Sequence, residues 1–268
     1  AVTKDYVIVA VNTSPDFVNV SGLLHVIHIH TQEVLRTMDL EGQPDSVAIS
    51  PDERFVAIAI ENERDEDLGD GGLPQFPAGF INVLQTESDD IFAWELSRID
   101  LTDLDDSIIE REDPEPEYVD INEDNICVVT LQENNGIVLI DLEQMSVISS
   151  FSAGTVTLQN IDATEDFIIS QNASLILPDI PREPDGVKWV NTDYFVTADE
   201  GDWVGGSRGF TIFSTDSNIV YTSGIELESL TIRYGHYPES RAENKGKCWF
   251  YCHTMRLVKI PIFQYLTF

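Results

Sequence analysis

Three acidic residues recur in one setting. Asp45, Glu117 and Asp185 each follow a proline and each stand two residues before a valine: Pro44-Asp45-Ser46-Val47, Pro116-Glu117-Tyr118-Val119 and Pro184-Asp185-Gly186-Val187. The copies lie 72 and then 68 residues apart. A second set of acids follows each copy: Glu61, Glu133 and Glu200. Equivalent positions in successive units of a repeat are expected around one axis. Carboxylates that converge on an axis repel one another unless they are protonated or hold a cation. Hard oxygen ligands, with Asn134 beside them, suit Ca²⁺. The alternative is that each acid caps a turn of its own unit by accepting local N–H groups.

Other residues bear on chemistry less directly. Asp65, Asp67 and Asp70 lie in Glu61–Gly72, ENERDEDLGDGG, an acidic loop with glycines that could wrap Ca²⁺ or simply stay solvated. Its spacing is not that of an EF-hand. His25, His28 and His30 suggest zinc, but on a strand only His28 and His30 share a face. Gly205-Gly206-Ser207-Arg208-Gly209 has Gly-x-Ser-x-Gly spacing, but it lies between two strand runs rather than at a strand-to-helix turn, so it is not read as a nucleophile elbow, and no phosphate-binding glycine loop is present. Arg208, in Gly-Gly-Ser-Arg-Gly, could bind an anion, and His236 could serve as a general base. With a cation these would allow phosphoester hydrolysis. Otherwise the segment is a structural crossover.

Strands must position these groups. Short runs rich in Val, Ile, Phe and Tyr recur at Tyr6–Val11, Leu23–Thr31, Ser46–Ser50, Phe55–Ile60, Phe80–Leu84, Ile126–Leu131, Ile137–Leu142, Phe167–Ser170, Tyr194–Ala198 and Phe210–Phe213. They are bounded by Asp, Asn, Gly and Pro, the punctuation of β structure. Asp100–Arg111 is the best candidate for a helix or a loop. Each repeat reads as turn, strand, tight turn, strand and acidic exit, then one or two more strands. About four strands per unit predicts an all-β fold, a β-propeller with blades of about 70 residues. A β-sandwich does not require the motif to return. The chain then holds about four blades in residues 1–247, and the ring is expected to be incomplete.

The chain has 268 residues and 42% hydrophobic content, enough to bury a core. Its 48 acids against 15 Lys and Arg give a net charge of −33. Such a field repels nucleic acid and anionic membranes and attracts cations. Cys127, Cys248 and Cys252 imply no disulfide framework. No run of 18 apolar residues predicts a membrane span. The chain starts at Ala1 without a charged-then-apolar leader, as expected of a processed secreted chain or a fragment. Asn12, Asn19 and Asn172 head N-x-Ser/Thr sequons, usable for glycosylation if the protein is secreted. Residues 248–268 hold no acid at all. They read either as a closing strand pair or as a foreign tail left by truncation.

The repeats resemble the choice-of-anchor I domain family. The stretches that carry the resemblance are GQPDSVAISPDERFVAIAIENE at 42–63, EPEYVDINEDNICVVTLQENNGIVLIDL at 115–142, IPREPDGVKWVNTDYFVTADEGDWVGGSRGFTIF at 180–213 and GHYPESRAENKGK at 235–247. The family includes bacterial surface proteins and the mesenchyme-specific cell surface glycoproteins of echinoderms and molluscs. The resemblance implies a secreted or surface-anchored propeller larger than this chain, with no well-established catalysis. Some bacterial relatives carry a phosphatase-like or esterase-like label, and animal members are associated with biomineralising cells. Three functions are therefore expected in competition. They are a calcium-binding protein of adhesion, matrix or mineral contact, a calcium-dependent phosphoesterase or esterase, and a metal-free interaction scaffold. Partners are expected in the extracellular matrix, in mineral or at a cell surface.

Overall fold

The computed structural model describes residues 1–162, 166–169, 176–207 and 209–236. Among the described residues the chain is all-β apart from a single 3-10 turn at Ile91–Ala93 and one short α-helix, and its strands form separate antiparallel sheets. The first sheet has three strands, β1 (Tyr6–Asn12), β2 (Gly22–His28) and β3 (Val34–Asp39). Three sheets of four strands are each ordered as the chain runs. They are β4 (Pro44–Ile49) to β5 (Phe55–Ile60), β6 (Phe80–Gln85) and β7 (Glu95–Asp100); β8 (Pro116–Ile121) to β9 (Ile126–Leu131), β10 (Gly136–Asp141) and β11 (Ser146–Ser152); and, after the pair β12 (Thr155–Gln159) and β13 (Ile176–Pro181), β14 (Pro184–Trp189) to β15 (Tyr194–Asp199), β16 (Gly209–Ser214) and β17 (Ile219–Thr222). Helix α1 (Glu226–Arg233) follows. The stretch at 100–111 is turns rather than helix.

The sheets stack face to face, and the core is what lies between them. Every residue of β5, Phe-Val-Ala-Ile-Ala-Ile, is buried, because both of its faces meet another sheet. Its even and odd positions feed different cores. Val56, Ile58 and Ile60 pack with Ile8, Leu24, Val26 and Trp94 toward the first sheet. Phe55, Ala57 and Ala59 pack with Val119, Val129, Leu131 and Ile140 toward the third. A further cluster, with Val128, Leu139, Phe195 and Phe213, joins the third sheet to the last. The first strands are neighbours in space as well. β1 packs on β4, β4 on β8, and β8 on β14. Val119 N donates to Ser46 Oγ at 3.1 Å and Thr130 Oγ1 to the Asp185 carbonyl at 2.6 Å, tying these sheets at that end.

The Pro-acid-x-Val motif is a β-bulge. Pro44 pairs with Ile60 and Val47 with Ile58, so Asp45 and Ser46 together face one partner residue. The same shift separates Pro116 from Val119 and Pro184 from Val187. A proline suits the first position of a strand, where no ladder N–H is needed. The extra residue twists the strand and re-aims the acid, which is the usual local effect of a bulge.

Candidate functional site

The bulges bring the three motif acids to one place. Asp45, Glu117 and Asp185 line a single cavity of about 770 Å³, with Ala1, Val7 to Ala10, Gln132, Glu200 and Asp202. Asp45 is exposed to it, and Glu117 and Asp185 are half-buried. Glu61 and Glu133 lie behind them, 9% and 3% exposed. Strand register adjusts the second set of acids. Pro44, Pro116 and Pro184 pair with Ile60, Leu131 and Asp199, so the next residues, Glu61, Gln132 and Glu200, are equivalent. Glu133 follows one extra residue in its turn, and it faces Arg64 instead. Asn134 is wholly buried and structural. Its Oδ1 accepts Glu115 N at 2.9 Å and its Nδ2 donates to the Ile109 and Asp113 carbonyls. Asn62 does the same work for Gln43 N in the preceding sheet.

The electrostatics follow from crowding. Burial, with Asp185 and Glu63 nearby, pushes the Asp45 carboxyl up to about 7 even though its side chain opens onto solvent. Burial and the carboxylates of Glu61, Asp45, Glu133 and Asp185 hold Glu117 well above the usual range. Glu61 is held up by burial and by Glu133 and Asp45. Asp185 is raised by burial, against a hydrogen bond shared with Glu200. Burial pushes Glu133 up to about 7, and burial with the Glu133 charge pushes Glu115 up to about 9, in both cases against the pull of Arg64. Uptake of protons or of a cation is how such a cluster relieves itself.

Arg64 is the cation placed among these acids. It is 4% exposed. It pairs with Glu133 at 2.8 Å, Glu115 at 3.5 Å and Asp202 at 2.5 Å, and its Nε donates to the Gly71 carbonyl at 2.8 Å. Glu115 Oε1 and Glu133 Oε2 are buried with no hydrogen-bond partner. Glu183 shapes the rim. Its carboxylate accepts the N–H groups of Asp202, Val204 and Gly205 at 2.6–2.8 Å, which curls the loop that presents Glu200 and Asp202. Gly201 sits at φ +79°, with Gly206 Cα 2.2 Å from where a Cβ would stand, so the loop requires glycine there. Arg64, Glu115 and Glu183 carry no local motif that marks them as parts of a site.

The remaining candidates lie elsewhere. Asp65 Oδ1 accepts Asp67 N, and Asp70 Oδ1 accepts Gly72 N, so these two carboxylates serve their own loop, with Asp67 exposed on it. His28 and His30 meet edge to face at 5.8 Å, and His25 bonds Thr37 Oγ1 at 2.9 Å. His236 is exposed just past α1, its N–H on the Thr231 carbonyl. Asn12 and Asn19 are exposed. Asn172, Arg208 and the tail at 248–268 lie outside the described residues. Among the described residues, no three His, Cys, Asp or Glu side chains stand close enough together to hold one metal ion as they are placed. No helix in the described part is long and apolar enough to cross a membrane.

A model of the choice-of-anchor I domain matches residues 1–205. The chain belongs to the choice-of-anchor I domain family. This membership points to a β-structured protein of the cell surface or the extracellular space. The matched stretch contains all three bulges and every acid of the cavity. Among solved structures, the domain is similar to hydrazine synthase from Kuenenia stuttgartiensis, at 16% identity and a TM-score of 0.46, over 78% of this chain and 46% of that one. It is similar also to a luciferin-regenerating enzyme, at 12% identity and a TM-score of 0.35, over 66% of this chain and 44% of that one. The chain thus spans less than half the length of either structure. No curated protein sequence matches it.

Proposed function

We propose that this choice-of-anchor I domain is a non-catalytic, calcium-binding part of an extracellular surface protein, serving contact with matrix, mineral or another cell. Its sheets are the blades of a β-propeller, and the acidic cavity lies at their common axis. The observation that carries this reading is that acids from the same position of three successive sheets line one cavity. Stacking of each sheet on the next, first strand beside first strand, supports the propeller. A divalent cation reverses the sign of the repulsion that raises these carboxyls, and Ca²⁺ tolerates a site built from flexible oxygen ligands. Closure on the ion requires rotation of Asp45, which is exposed, and of the half-buried Glu117 and Asp185. Asn12 and Asn19, exposed beside the first sheet, suit a glycosylated surface protein.

A melting experiment tests this. With Ca²⁺ against chelator at matched ionic strength, the melting temperature is expected to rise by several degrees, since ligand at about 100 times its Kd adds roughly 2.7 kcal/mol. Matching matters because salt alone screens a net charge of −33. Glu117→Gln is expected to abolish the rise. A cooperative melt with no Ca²⁺ response sinks the metal reading and leaves the interaction scaffold. Turnover of a phosphoester, abolished by chelator, would overturn the non-catalytic part instead.

A further inference from the structure

The inner strands carry the acidic cavity at one end and a second cleft at the other. β4, β8 and β14 each run from a bulge to a tight turn, roughly 17 Å along the strand. The three turns are built alike. Ser50 N donates to the Phe55 carbonyl, Asn122 N to the Ile126 carbonyl and Val190 N to the Tyr194 carbonyl. Residues of all three turns, Pro51, Asn122 and Thr192 among them, line one cleft of about 350 Å³. Here the repeat departs from itself. Register makes Ala48, Asp120 and Lys188 equivalent, and likewise Ile49, Ile121 and Trp189. An alanine and an isoleucine of one sheet thus become an ion pair and an indole between the next two. Asp120, 6% exposed, holds both. Its carboxylate pairs with Lys188 Nζ and accepts Trp189 N at 2.8 Å, and its carbonyl accepts Trp189 Nε1 at 3.2 Å. The walls are therefore fixed before any ligand arrives. One donor is left over. Asn122 is 4% exposed. Its Oδ1 caps the turn by accepting Asp124 N and Ile126 N, both at 2.9 Å, while its Nδ2 is buried with no hydrogen-bond partner. Buried amides are rarely left in that state.

We infer that this cleft binds an uncharged sugar unit. Its volume lies in the range of small-ligand sites. The lining joins one indole to amide and hydroxyl groups, a mix that suits a ring with an apolar face and a hydroxyl rim. Trp189 spends its N–H on Asp120, so its half-buried ring offers carbon. Asn122 Nδ2 needs an acceptor. A sugar hydroxyl supplies one, and its own proton remains for the exposed Glu123 carboxylate on the rim. Charge decides against an anion. Lys188 is already neutralised by Asp120, Glu123 faces the entrance, and the chain carries −33. A cation would meet the Lys188 ammonium. The site requires no metal, so it stands or falls apart from the calcium reading, while a sugar ligand suits the same contact with matrix or another cell.

The test follows the indole N–H signals of the isotope-labelled 268-residue chain by NMR. It is run in chelator, so that no sugar is held through Ca²⁺. The probes are the methyl glycosides of glucose, galactose, mannose and N-acetylglucosamine. The Trp189 signal, assigned by its loss in Trp189→Phe, is expected to shift saturably with at least one of them. Half-saturation is expected near about 1 mM, the weak end of specific association. The signals of Trp94 and Trp203, which do not line the cleft, should stay in place. Asn122→Asp keeps the turn cap and removes the donor, and it should weaken binding about tenfold, the worth of one hydrogen bond. Because a charge buried there can unsettle the turn, Thr192→Phe, which fills the half-buried rim, is the second variant and should abolish binding. No shift of Trp189 with any probe up to about 20 mM, well beyond that weak limit, overturns the proposal. So does a shift that persists unchanged in both variants, or one caused by a sulfated glucoside and by none of the uncharged probes.

Discussion

Replacing Arg64 by methionine is expected to cost about 3–5 kcal/mol, the range for removing one partner of a buried ion pair. Methionine keeps most of the side-chain volume, so packing changes little. Glu115 and Glu133 are left as buried carboxyls, 1% and 3% exposed, with no counter-charge. Asp202, whose side chain is 37% exposed, keeps water and contributes little to the loss. Denaturant unfolding at pH 8 measures the cost. A pH signature separates it from a packing defect. Arg64 holds both carboxyls lower than burial alone would, so without it they bind protons more tightly. The deficit should therefore shrink as pH falls from 8 to 5. Adding Glu115→Gln and Glu133→Gln to Arg64→Met should recover most of the loss. An equal deficit at both pH values would mean that Arg64 acts by packing.

The second large effect is the pH dependence of the whole domain in chelator. Asp45, Glu61, Glu115, Glu117, Glu133 and Asp185 all have folded values above their unfolded ones. Between the unfolded values near 4 and the folded ones, the native state binds more protons than the unfolded chain. Stability then falls as pH rises. The stabilisation is complete below about pH 4. It is lost through about pH 7, where Asp45 and Glu133 titrate, and on toward pH 9 for Glu115. At about 1.4 kcal/mol for each tenfold change in proton affinity, Glu115 and Glu133 together weigh several kcal/mol. Exposed acids such as Glu143, held low by its hydrogen bond to Arg54, act in the opposite sense in stronger acid. The melting temperature in chelator should therefore peak near pH 5 and drop by about 10 °C toward pH 9, at roughly 2–4 °C per kcal/mol. Millimolar Ca²⁺ should flatten that decline. A maximum at pH 7–8 in chelator would contradict it.

Much of this is legible in the sequence. The strands are, because β-branched runs broken by turn residues have few other readings. The motif acids are, because a bulge needs a fixed local spacing, and Pro-acid-x-Val repeats it. The placement of Glu133 is not. One extra residue in the turn after β9 shifts it off the register of Glu61, and no local pattern marks such an insertion. Arg64 is invisible for another reason. It sits in an acidic run that reads as a solvated loop, yet its partners lie 51 and 138 residues on. Only tertiary packing brings them together. Asn134 suits a ligand by residue type, yet it bonds backbone groups on both sides. Asparagine serves either role, and the choice depends on which N–H groups happen to lie near. The β12–β13 pair and α1 were missed because neither belongs to the repeat.

The most direct measurement of the central proposal is a calorimetric titration of Ca²⁺ into the chelator-stripped domain at pH 6.5, in two buffers of different ionisation heat. If the ion binds the carboxyls whose values lie near 7, binding must release protons, and the apparent heat must differ between the buffers. Saturable binding with proton release, lost in Glu117→Gln, is the predicted result. No heat of binding in a domain that melts cooperatively, or binding that releases no protons and survives Glu117→Gln, would contradict a calcium site in this cavity.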